Sequence, residues 1–97
     1  MIAMSTMKAP TTHGRIAAKY HNDWGKGPRV MSVEQGSKTA KSGLMVDDII
    51  MKIDGKPCKT KAEMDAALAD KRAGNPVSVV VDRDGRNTAF NVTLDPA

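Results

Sequence analysis

Two Asp-Gly dipeptides, Asp54-Gly55 and Asp84-Gly85, set the strongest constraint on how this chain can fold. An Asp-Gly pair supplies the positive φ angles of a two-residue hairpin turn, so apolar runs beside it read as strands. Ile49–Ile53 leads into the first pair and is a strongly apolar strand. Val77–Arg83 leads into the second, with Val77, Val79 and Val81 on one face. Phe90, Val92 and Leu94 alternate in the returning strand. Upstream, Ile16, Ala18 and Tyr20 share one face of a short strand over Arg15–Tyr20, and Arg29–Glu34 is another strand. His21–Pro28, with Asn22, Asp23, Gly25, Gly27 and Pro28, reads as a loop between them.

Two helical segments interrupt the strands. Ser37–Ser42 makes one or two turns, stopped by Gly43. Thr60 and Glu63 form a T-x-x-E capping box, after which Met64, Ala67, Leu68 and Lys71 follow helical spacing until Gly74 and Pro76 end the helix. The expected fold class is α+β, a small curled antiparallel sheet or partial barrel of about five strands with two helices.

At 97 residues the chain closes one small core. It is too short for a large nucleotide-binding sheet, a (β/α)8 barrel or a self-contained serine protease. The single cysteine, Cys58, allows no intrachain disulfide. No apolar run approaches the roughly 20 residues of a membrane span, and Met1–Pro10 lacks the apolar stretch of a secretory signal. Residues 1–12 are expected to form a disordered arm or leader, with the domain spanning 13–97. Lys and Arg exceed Asp and Glu by 15 to 11, but the excess forms no single block, and Trp24, Tyr20 and Phe90 are scattered. The charge reads as a solvated surface, with no nucleic-acid partner.

Several segments together resemble the PDZ domain signature. They are Val30–Ser37 followed by Ala40-Lys41-Ser42-Gly43-Leu44, then Asp48-Ile49-Ile50, Ile53-Asp54-Gly55-Lys56-Pro57, the capped helix, and Val79–Gly85. The match runs over about residues 13–95, and the strand after Asp84-Gly85 resembles the circularly permuted bacterial type that accompanies trypsin-like periplasmic proteases. This resemblance implies binding of a partner's carboxy-terminus, added as a strand between a domain strand (about 15–20) and a helix (about 60–70).

It also implies where the site lies. His13, Gly14, Arg15 and Ile16 match the carboxylate loop, with Arg15 or Ala17 standing where an apolar residue or a second glycine is usual. Ala17, Ala18 and Lys19 match the peptide-pairing strand. Lys61, Asp65, Leu68 and Ala69 fall on one helical stripe and match the groove wall, while Met64 matches a core leucine. Asp47 stands where relatives carry glycine, and Asp tolerates left-handed backbone better than most residues.

No catalytic constellation is visible. Cys58 has no evident histidine partner. His13 and His21 lack further ligands at metal-site spacing, and no cofactor or metal is expected. Asp82-Arg83-Asp84-Gly85 lacks the later ligands of a calcium loop and reads as a hairpin turn. Gly25-Lys26-Gly27 lacks the remaining glycine of a phosphate loop. The expected function is peptide binding without catalysis. Two alternatives stand beside it: a regulatory piece of a larger serine protease, and a docking module that binds internal segments. The partners are carboxy-terminal or extended peptide segments, with possible tethering to a protease or secretion component and no membrane insertion. Localisation follows completeness: cytoplasmic for a complete chain, periplasmic or extracellular for a fragment of a secreted protein.

Overall fold

A computed structural model of the chain describes residues 13–23 and 27–96. The expected arm at 1–12 and most of the Gly25-Lys26-Gly27 segment lie outside the described residues.

The strands are β1 (Gly14–Arg15), β2 (Ala18–Asp23), β3 (Gly27–Val33), β4 (Ile49–Ile53), β5 (Lys56–Pro57), β6 (Pro76–Arg83), β7 (Arg86–Thr93) and β8 (Asp95–Pro96). Helix α1 (Lys38–Ser42) follows β3, and α2 (Lys61–Leu68) follows β5. The main sheet is antiparallel in the order β2-β3-β4-β6-β7, with β5 folded back on β4. A separate two-stranded ribbon pairs β1 with β8, bringing Gly14 opposite Pro96 and Arg15 opposite Asp95.

Both Asp-Gly pairs make the hairpins expected of them. Asp54 and Gly55 have φ of 50° and 80°, and Asp84 and Gly85 have 52° and 83°, the double left-handed signature of a type I′ turn. The turn at Asp84-Gly85 joins Arg83 to Arg86 in register. Asp82 Oδ accepts from Gly85 N–H there, so this carboxylate braces a turn. Asp47 also has a positive φ, 75°, at the corner before β4.

Val77, Val79 and Val81 of β6 point inward with Val30, Ile50, Ile53, Val92 and Leu94, and Met64, Ala67 and Leu68 of α2 cover one side of this core. The α2 N-terminus is capped as its sequence requires. Thr60 Oγ1 accepts from Glu63 N–H at 3.1 Å, and the Glu63 carboxylate reaches back to Lys59 N–H at 2.8 Å.

Three expected boundaries change. The strand expected over Arg15–Tyr20 breaks at Ile16-Ala17, because Ile16 turns into the core and the Ala17 N–H turns inward to a side chain of α1. The expected loop His21–Pro28 is mostly strand: β2 runs through Asp23 and β3 starts at Gly27. Gly27 is required there, since a Cβ would meet Ile50 O at 2.4 Å. Helix α2 ends at Leu68, capped by Ala69, so Lys71 lies beyond it and pairs with Asp54 at 3.0 Å.

Candidate functional site

Among the described residues strand β2 is an edge of the main sheet, and α2 lies beside it. Lys61 N–H, in the first turn of α2, donates to Asn22 Oδ1 at 3.1 Å, so the two elements are pinned together near the far end of β2. Between that pin and the Ile16-Ala17 corner, Ala18, Lys19, Tyr20 and His21 form the stretch of edge that another strand could join. Register slips by one residue between Lys19 and Tyr20, leaving Met31 of β3 as the extra residue of a bulge.

Tyr20 lies in this stretch. Its ring packs against the core cluster, and its hydroxyl is buried with no hydrogen-bond partner among the described residues. Burial pushes the phenol pKa well above its ordinary value, with Arg15 lowering it and Asp65 raising it.

The residues ahead of β2 are tightly held. His13 is exposed and bridges to Arg72. Gly14 donates its N–H to Lys71 O at 3.1 Å. A Cβ on Gly14 would meet Leu94 Cδ1 at 2.6 Å and Arg72 O at 2.7 Å, so close packing accounts for this glycine. Arg15 Nε donates to Pro96 O at 3.1 Å, and its guanidinium pairs with Glu34 at 2.6 Å. Ile16 and Ala17 are buried. Ala17 N–H donates to Thr39 Oγ1 at 2.8 Å, and Ala18 N–H donates to Ile16 O at 2.9 Å.

Thr39 passes the constraint on. Its hydroxyl donates to Asp95 Oδ2 at 2.7 Å, while the Lys38 and Thr39 amides donate to the two Asp95 oxygens at 2.8 and 2.9 Å. Burial raises the Asp95 pKa, but these three hydrogen bonds, helped by Arg15, outweigh it and hold the carboxyl below its ordinary value. The β1–β2 corner, α1 and β8 are thus one hydrogen-bonded unit. Neither Thr39 nor Asp95 was legible as a functional position, because 56 residues separate them in sequence.

Residues expected on the helical wall divide into two kinds. Lys61 and Asp65 are exposed and form an i,i+4 ion pair at 3.1 Å. Such a solvated pair contributes at most about 1 kcal/mol. Leu68 is buried in the core cluster, and Ala69 is the exposed C-cap. Of the residues expected to pair with a peptide, Ala18 and Lys19 are in β2 and Ala17 precedes it. Met64 is buried, as its match to a core position implies.

The other candidate chemistries stay apart. Cys58 is buried, and burial raises its thiol pKa, with Glu63 adding to the rise against a backbone hydrogen bond and Lys56. Among the described residues no three His, Cys, Asp or Glu side chains are grouped to hold a metal ion, and no described helix is long and apolar enough to cross a membrane.

Comparison with known proteins agrees with this geometry. A family model described as "PDZ domain" matches residues 6–94. The chain is 35% identical over 80 residues to the periplasmic pH-dependent serine endoprotease DegQ of Escherichia coli, covering 82% of this chain and 18% of DegQ. It is 31% identical over 86 residues to the E. coli serine endoprotease DegS, covering 84% of this chain and 24% of DegS. Among solved structures, the HtrA-type protease AlgW with decapeptide superposes with a TM-score of 0.77 at 21% identity, over 89% of this chain and 30% of that one. The chain belongs to the PDZ domain family, of the type found in bacterial HtrA-type proteases. It spans about a fifth of the length of these curated relatives.

Proposed function

We propose that this domain recruits a partner polypeptide by strand addition to the edge of β2 that no other described strand pairs with, under the shelter of α2. The observation that carries the reading is the topology: β2 ends the sheet, and α2 runs beside it. An extended segment would pair its backbone with Ala18–His21, and its side chains would meet Lys61 and Asp65. The pin between Asn22 and Lys61 limits that pairing to a few residues, so affinity is moderate at best. Carboxylate capture at His13–Ile16, which the family resemblance implies, is the finer version of this reading.

Backbone N-methylation tests strand addition directly. Decapeptides selected from a random library would be methylated at one amide at a time. Loss of binding at alternate positions supports edge pairing, whereas indifference to methylation at every position refutes it.

A second reading rests on the relatives. Because the chain matches about a fifth of serine endoproteases, the domain would act as the regulatory part of such an enzyme, tethered to its catalytic domain. Full-length protein assayed with and without a bound peptide tests this. Peptide-dependent proteolysis supports control in cis, and unchanged proteolysis opposes it.

A further inference from the structure

We infer that this domain takes internal, extended segments of its partners at least as readily as their free carboxy-termini. The inference rests on the strand-addition reading and concerns only what happens at the Ile16-Ala17 end of the groove. A terminal carboxylate accepts only, and a strand-addition site holds it with converging backbone N–H groups, often helped by a cation. In this chain the Gly14, Ala17 and Ala18 amides of that corner already have partners.

The Ala17 amide donates to Thr39 Oγ1 at 2.8 Å. Thr39 is fully buried and is itself fixed by two hydrogen bonds to Asp95, so its oxygen cannot withdraw without disturbing α1 and β8. The Ala18 amide closes a tight turn onto Ile16 O at 2.9 Å, and the Gly14 amide donates to Lys71 O at 3.1 Å. Arg15 is the cation at this corner, and Glu34 and Pro96 O both hold it. A free carboxylate arriving here would have to open several of these bonds and would face the Glu34 carboxylate beside Arg15. An internal segment makes no such demand. It needs only the backbone edge from the Ala18 carbonyl to His21, which the same bonds hold in place.

The test uses the chain as it is. Peptides would be selected from two display libraries, one with the random segment between fixed flanks and one with it at a free carboxy-terminus. Each selected decapeptide would then be synthesised as the free acid, as the carboxamide, and with three further residues after its end. The inference expects the three forms to bind within about twofold of one another. A free acid that binds tenfold or more tightly than its carboxamide overturns it, although strand addition would survive. A tenfold loss on extension alone also overturns it, since the chain could not then continue past the corner. If no peptide binds in any form, strand addition and this inference fail together.

Discussion

Replacing Thr39 with Val removes one oxygen and almost no volume, and it should cost this small domain a large share of its stability. The hydroxyl holds two groups at once. It accepts from Ala17 N–H at 2.8 Å and donates to Asp95 Oδ2 at 2.7 Å, and it is completely buried. In the variant the buried Ala17 amide has no acceptor, a penalty of about 1–3 kcal/mol. Asp95 loses one of three hydrogen bonds to a charged acceptor, about another 1.5–3 kcal/mol. The added methyl recovers about 1 kcal/mol by apolar burial. The net expectation is a loss of about 1.5–5 kcal/mol, against a typical total of about 5–15 kcal/mol for a folded domain. Urea unfolding measures the loss, and amide hydrogen exchange locates it, with Ala17 exchanging much faster in the variant. Thr39→Ser, which keeps the hydroxyl, should retain Ala17 protection. A Thr39→Val variant destabilised by less than about 1 kcal/mol, with Ala17 exchange unchanged, would refute the reasoning.

Other expectations follow from single groups. Tyr20→Phe deletes a buried hydroxyl that has no partner among the described residues, so it should stabilise the domain by up to about 1 kcal/mol in urea unfolding; a clear loss would mean that the hydroxyl is paired. Hydrogen bonds from Ser78 and Lys71 lower the Asp54 pKa, while the Asp95 pKa is lowered despite burial by its bonds to Thr39 and Lys38. Their folded pKa values lie below the unfolded value of about 3.9, so the unfolded chain takes up protons first. The stability they contribute is present above about pH 4 and is lost as pH falls through the folded values. Stability titrated from neutral pH into acid should therefore fall below about pH 4, and less steeply in Asp95→Asn. Cys58 is 1% exposed with a raised thiol pKa, so a thiol reagent should label it only after unfolding; labelling of the native protein at the rate of a free thiol would contradict its placement.

Much of the fold was readable because its signals are local. Asp54-Gly55 and Asp84-Gly85 specify their own turns, and the Thr60–Glu63 box specifies the start of α2. The alternation of Val77, Val79 and Val81 specifies which face of β6 is buried. The misread boundaries were decided by tertiary partners. Asn22 lies in a strand, despite its turn propensity, and holds α2 through Lys61 N–H. The stripe Lys61, Asp65, Leu68, Ala69 has correct helical spacing, yet the core claims Leu68 while the other three stay exposed. The β1–β2 corner was the least legible, because its geometry is set by Thr39 and Asp95, which no local pattern connects to Ala17. Gly14 read as a loop glycine, and its demonstrable constraint is the close approach of Leu94 and Arg72.

The central claim is that partners add along β2 beside α2, and amide shift mapping tests it most directly. The isotope-labelled domain would be titrated with the tightest peptide from the random libraries. The account predicts saturable shifts concentrated at Ala18–His21 and along Lys61–Asp65, with new exchange protection on the β2 edge. Saturable binding whose shifts fall elsewhere, with Ala18–His21 unmoved, would contradict it.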